Sequence, residues 1–124
     1  MTDKFDPFDH EDVEPENIDT EKVKELNDRF RRTFEGGRVV CTPGIASLRE
    51  ETRFKIFFAI QTFEDFNPEN DPYGEHEMGM VEADGEKAYW KIDYFDKNLT
   101  WHSPAKDNPE VTERVMTIMK PEEY

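Results

Sequence analysis

HEMGMVEADGEKAYWKIDYF, from His76 to Phe95, decides the fold. A strand around His76 to Ala83 and a strand from Lys87 to Phe95 flank Asp84-Gly85, a pair that favours a two-residue hairpin because both positions tolerate the positive φ such a turn needs. In the second run Ala88, Trp90, Ile92 and Tyr94 share one face, so that face is the one to bury. Downstream, Asp96-Lys97-Asn98 turns the chain into a predicted short strand, Leu99 to Ser103. A loop from Pro104 to Pro109 and a last strand, Val115 to Met119, complete a meander before Pro121-Glu122-Glu123-Tyr124.

Upstream the period changes from two to 3.6. Asp19 or Thr20 caps a helix that sets Val23, Leu26, Phe30 and Phe34 at spacings of three and four, with Arg29, Arg31 and Arg32 late, where cations suit the dipole. Gly36-Gly37 stops it. Arg38 to Thr42, with Val39-Val40, reads as a short buried strand ended by the turn Thr42-Pro43-Gly44. Ser47 and Glu50 form a capping-box pattern ahead of Leu48 to Phe66, predicted as a second helix of about four turns directing Phe54, Phe57, Phe58 and Phe63 to the core. Alternation of Phe54, Ile56, Phe58 and Ile60 offers a strand instead; length and the acids Glu50-Glu51 decide for helix. Asn67 to Gly74, rich in Pro, Asn and Gly, is a structured loop. The expected fold is α+β, an antiparallel sheet of four or five strands, mostly a meander, with two helices on one face and no parallel βαβ winding.

At 124 residues the chain suits one domain, residues 20–124, with a core of few, large side chains: 35% of residues are hydrophobic and ten are Phe. The net charge is −14, and half of it falls in residues 1–19, an acidic flexible arm carrying Phe5, Phe8, Val13 and Ile18. Such a field disfavours direct binding to nucleic acid and attracts basic surfaces, of which the grooves of nucleic-acid enzymes are the most extensive. The single cysteine, Cys41, excludes an internal disulfide and a Cys-based zinc knuckle and reads as a small core residue. With no run of 18 apolar residues and an acidic N-terminus in place of a signal peptide, a cytoplasmic protein without a membrane partner is expected.

Chemistry has one place to gather, Asn70 to Gly79. His76 and carboxylates are a valid ligand set for zinc, iron or manganese, so His76 with Asp71, Asp93 and His102, and Glu75 as ligand or acid/base, form a candidate site for a small metal-dependent hydrolase or nuclease. On a strand, however, Glu75 and Glu77 point away from His76. The favoured reading is structural: Asn70 and Asp71 close the loop through side-chain hydrogen bonds, while Glu75 and His76 serve backbone donors and a cross-strand partner. Gly36-Gly37 and Thr42-Pro43-Gly44 lack the spacing and lysine of a phosphate loop, so no cofactor is expected. Tyr89, Trp90, Tyr94, Phe95 and Trp101 read as core and cross-strand pairs rather than a stacking platform, because no positive groove accompanies them.

Together Asn27-Asp28-Arg29-Phe30, Thr42-Pro43-Gly44-Ile45, Phe63-Glu64-Asp65-Phe66, the ten residues Asn70 to Gly79, Trp90-Lys91-Ile92-Asp93-Tyr94-Phe95-Asp96 and Arg114-Val115-Met116-Thr117-Ile118-Met119 resemble an uncharacterised bacterial family, domain of unknown function 3768, from about residue 25 to Tyr124. The resemblance implies no activity, cofactor or catalytic residue. It does imply carriage on plasmids, phage-like and integrative elements, and so a role in handling or evading host nucleic-acid machinery.

Charge and resemblance converge on a non-enzymatic binding protein, an anti-CRISPR or antirestriction inhibitor that imitates nucleic acid in the basic groove of a defence complex. The carboxylates expected to replace phosphates are Asp9, Glu11, Asp12, Glu14 and Glu16 on the arm and Glu64, Asp65, Glu69, Asp71, Glu75 and Glu77 around the loop. The metal-dependent hydrolase centred on His76, and a housekeeping interaction domain with incidental acidity, are the alternatives.

Overall fold

Residues 18–124 are described by a computed structural model. Helix α1 (Thr20–Thr33) is capped by Asp19, whose side chain accepts from the Lys22 N–H at 3.2 Å, and it carries Glu21 in its first turn and Arg31 and Arg32 in its last. It ends at Phe34, left-handed at φ 61°, so the stop falls two residues before the glycine pair. Gly37 opens β1 (Gly37–Cys41), where a Cβ would lie 2.5 Å from the Arg114 carbonyl oxygen and 2.8 Å from the Phe30 ring. A one-turn helix α2 (Pro43–Ala46) and helix α3 (Glu50–Gln61) follow, and then β2 (Met78–Ala83), β3 (Glu86–Phe95), β4 (Glu113–Met119) and a 3-10 turn (Pro121–Glu123). None of the described helices is long and apolar enough to cross a membrane.

The four strands lie in the order β1-β4-β3-β2. Asp84 and Gly85 take the positive φ values 54° and 79° that the hairpin signal demanded, which sets Val81 opposite Ala88 and Gly79 opposite Trp90. Between β3 and β4 the register places Trp90 opposite Ile118 and Ile92 opposite Met116. Those residues line one face, where Phe30 of α1, Ile45 of α2 and Ile56 and Ile60 of α3 cover them in a single core. On the other face Val40 and Met80 are exposed, and Tyr124 leans on Tyr89 at 5.8 Å.

Three expectations are corrected. The sheet is mixed, because β1 runs parallel to β4, Val39 opposite Met116. Turn signals report only on neighbours in sequence, and β1 has no hairpin: helices α2 and α3 and the β2–β3 hairpin intervene before β4 returns beside it. Second, Leu99 to Ser103 forms no strand beyond an isolated bridge of His102 to Phe95. Turn chemistry consumes that segment, with the Thr100 N–H on the Asp96 carboxylate at 2.9 Å and Leu99 at φ 59°, and Trp101 is 74% exposed rather than part of a core pair.

Third, the long helix from Leu48 to Phe66 is shorter and broken. Ser47 donates to the Gly44 carbonyl and closes α2, while the N-cap of α3 is Arg49, without a side-chain cap, so the capping box does not form. Thr52, Ile56 and Ile60 are the buried stripe of α3. Positions two apart on a helix point about 200° apart, which turns Phe54 and Phe58 to solvent, while Phe57 and Phe63 pack against the core.

Candidate functional site

The loop before β2 is built from side-chain acceptors, as its Asn and Asp content foretold. Asn67 accepts from the Glu69 and Asn70 N–H groups at 2.9 and 3.0 Å, Asn70 accepts from the Asn67 N–H at 2.9 Å, and its amide donates to the Asp65 carbonyl at 2.9 Å. One oxygen of Asp71 takes the N–H groups of both Glu75 and His76 at 3.1 Å, which fixes the residues around Gly74 (φ 69°) and His76 (φ 56°).

His76 is then clamped from both sides. Its Nδ1 lies 2.8 Å from Asp28 Oδ1 on α1, its Nε2 lies 3.5 Å from Asp71 Oδ2, and its ring stacks on Phe66 at 3.7 Å and 3°. Asp28 also accepts from Arg31 at 2.9 Å. The fully buried Arg31 donates onward to the carbonyls of Ile60 and Gln61, the end of α3, and its guanidinium lies over Phe66 and Trp90 at 5.3 and 5.7 Å. Burial pushes the Asp28 carboxyl up, but the bonds and charges of His76 and Arg31 outweigh it and hold it below the usual carboxylate range. Because its folded pKa is depressed, Asp28 contributes stability present above its unfolded value of about 4, and that stability is lost as pH falls through the folded value.

A second buried chain of bonds adjoins the first. Asn27 donates to the Glu75 carbonyl at 2.9 Å and to the Tyr94 hydroxyl at 2.8 Å, and accepts from Arg114 Nε at 2.8 Å. The Tyr94 hydroxyl donates to the Glu77 carboxylate at 3.0 Å, and Lys106 pairs with Glu75 at 3.0 Å. Lys106 and Arg114 each stand 5.2 Å from the Tyr94 ring. Burial drives the Tyr94 hydroxyl up and the Arg114 guanidinium down.

Burial also raises the Glu77 carboxyl, against the hydrogen bond from Tyr94 and with help from nearby Glu75. With a raised folded pKa, its contribution is complete below the unfolded value of about 4.3 and is lost as pH rises through the folded one. Glu77→Gln, which keeps an acceptor for Tyr94, is therefore expected to raise the thermal midpoint at pH 7 and to leave it nearly unchanged at pH 4. Melting curves at the two pH values check this, and an equal shift at both would contradict it.

Of the sequence-selected residues, Asp71 and His76 meet. Asp93 instead pairs with Lys91 at 3.3 Å, and His102 is exposed against the Phe95 ring at 6.3 Å, so the set Asp71, His76, Asp93 and His102 is not brought together. No group of three His, Cys, Asp or Glu side chains among the described residues is disposed to hold a metal. Glu64, Asp65 and Glu69 are exposed, and no ion pair to them forms among the described residues. By contrast the side chains of Asp71 and Glu75 are only 7% exposed and serve the loop backbone and Lys106. Glu77 is half-buried under Tyr94. Asp9, Glu11, Asp12, Glu14 and Glu16 lie outside the described residues.

Cys41 packs against the core, and burial pushes its thiol up, away from nucleophilic reactivity. The residues that sequence reasoning passed over are Asn27, Asp28, Arg31, Lys106 and Arg114. A signal existed for two of them: Asn27 and Arg31 are four apart, on the same stripe of α1 as Val23 and Phe30, where a polar side chain must find buried partners.

No curated protein and no solved structure matches the chain. A family's sequence profile does, over residues 41–123, from the end of β1 through the last 3-10 turn; the Asn27–Phe30 fragment of the resemblance precedes that match. The chain belongs to the family described as Protein of unknown function (DUF3768).

Proposed function

We propose that this protein acts by binding, as an acidic competitor that occupies the basic nucleic-acid groove of a DNA- or RNA-targeting defence complex inside the cell, an anti-CRISPR or antirestriction inhibitor carried by a mobile element. The observation that carries the reading is the division of charge. Arg31, Arg114 and Lys106 are drawn inward together with Asp28, Asp71 and Glu75, so these inner charges offset one another and leave the chain's net charge of −14 undiminished. Glu64, Asp65 and Glu69 stand outside on a loop that its own hydrogen bonds hold in place, so presenting them to lysines and arginines costs little ordering entropy. Binding rather than catalysis also accords with His76, whose Nδ1 ties the loop to Asp28 on α1 while its Nε2 and ring face lie against Asp71 and Phe66.

The test is inhibition of DNA cleavage in vitro by a panel of RNA-guided nucleases and restriction enzymes. The expected result is stoichiometric inhibition of at least one member, relieved when target DNA is pre-bound. The triple variant Glu64→Gln, Asp65→Asn, Glu69→Gln is expected to inhibit roughly tenfold less well, a loss of a few tenths to one kcal/mol per exposed charge. Failure to inhibit any member, or equal potency of the neutralised variant, would count against the proposal.

A further inference from the structure

We infer that the groove between the 63–72 loop and the edge of β2 is a docking site for an extended, arginine- or lysine-bearing segment of a partner protein; the inference rests on the acidic-competitor reading and names one of its contacts. The groove has a volume of about 540 Å³. On its loop side stand Phe63, Asp65 and Glu69, and on its sheet side Gly79, Met80 and Tyr89. Among the described residues β2 pairs with β3 alone and ends the sheet, so one row of its backbone donors and acceptors has no strand to meet. The floor has a further mark. Gly79 lies so close over the indole of Trp90 that a Cβ would come 2.7 Å from Nε1, and that N–H, fully buried, has no acceptor among the described residues.

Charge and shape select the occupant. A segment added to β2 satisfies the free backbone row, and its successive side chains alternate between the two sides of the sheet. On one side they come to Asp65 and Glu69, exposed carboxylates that suit arginine or lysine; on the other they come to Met80 and Tyr89, which suit an apolar residue. β2 is six residues long, so a segment of about five covers it. Phe63 and the methylenes of the basic side chains supply apolar contact beneath the charges. A purely acidic or polar strand would meet like charge at the rim and gain nothing from the floor.

The experiment is a titration of the full chain, isotopically labelled, with the peptide Val-Arg-Val-Arg-Val, read by amide chemical shifts. The expected result is saturable shifts confined to Met78–Ala83 and the 63–72 loop, with affinity about tenfold weaker for the Asp65→Asn/Glu69→Gln protein and for the peptide Val-Glu-Val-Glu-Val. Both substitutions are at exposed positions, and an unchanged spectrum elsewhere confirms that the variant is folded. No shifts, shifts elsewhere, or equal affinity for the glutamate peptide would overturn the inference. Assaying the wild-type chain for effector inhibition separates the two claims. No peptide binding by a chain that does inhibit an effector overturns this inference alone; saturable peptide binding with no effector inhibited supports the groove and overturns the function proposed above.

Discussion

Arg31→Ala is expected to destabilise the protein by about 3–5 kcal/mol, measured by urea denaturation at pH 7. Arg31 is fully buried and is the common partner of three elements: Asp28 on its own helix, the carbonyls of Ile60 and Gln61 that end α3, and the aromatic faces of Phe66 and Trp90. Removing it leaves a carboxylate with only His76, leaves the Gln61 carbonyl without its donor and leaves the Ile60 carbonyl with only the Phe63 N–H, which is the costly way to break a buried pair. It also leaves a void between α1 and the sheet. Two comparisons identify the cause. In Arg31→Met much of the stem's packing survives, so the loss should be smaller. In Arg31→Ala combined with Asp28→Asn the uncompensated charge is gone, so the double variant should be more stable than Arg31→Ala at neutral pH. If Arg31→Ala costs under about 1 kcal/mol, as an exposed ion pair would, the anchoring role assigned to Arg31 is wrong.

Asn27→Ala should follow closely, at on the order of 3 kcal/mol. Its amide supplies donors to the Glu75 carbonyl and the Tyr94 hydroxyl and an acceptor to Arg114, all inside the fold. Three groups lose a partner together, and the desolvation cost of an orphaned group exceeds the net worth of a satisfied bond. Asn27→Asp is the informative companion. It keeps the shape and strengthens the bond from Arg114, but both of its oxygens are acceptors, so the donor to the Glu75 carbonyl is lost. Denaturation midpoints should therefore rank wild type above Asn27→Asp and Asn27→Ala, and amide exchange at Glu75 and His76 should quicken in both variants before global unfolding, because these bonds tie the loop to α1. Wild-type exchange there would show that Asp71 and the His76–Asp28 contact hold the loop without Asn27.

The hairpin was legible because its turn is a two-residue chemical requirement, met by Asp84 and Gly85, and because Ala88, Trp90 and Ile92 alternate cleanly on a half-buried strand. Helix α1 was legible for the same kind of reason, a cap at Asp19 and apolar residues at helical spacing. What escaped was non-local. The parallel seat of β1 beside β4 depends on the path of four intervening elements, and α3 carries its aromatic residues against its own periodicity, with Phe54 and Phe58 outside and Thr52 inside. Around the loop, the bonding roles of Asn70 and Asp71 could be read from local turn chemistry. The partner of His76 could not, because Asp28 lies 48 residues earlier on a helix whose apolar stripe drew attention away from its polar members. Charge count alone also could not sort the carboxylates. Glu64, Asp65 and Glu69 face solvent, whereas Asp71 and Glu75, equally acidic in the sequence, are engaged inside the fold.

Direct binding of the full chain to an effector it inhibits, followed by interferometry between 50 and 200 mM NaCl, should weaken by at least about tenfold as counterions screen the contact. The variant Glu64→Gln, Asp65→Asn, Glu69→Gln should show both a weaker affinity and a shallower salt slope. An affinity indifferent to salt, with the neutralised variant bound as tightly as wild type, would contradict the claim that the exterior carboxylates take the place of phosphates.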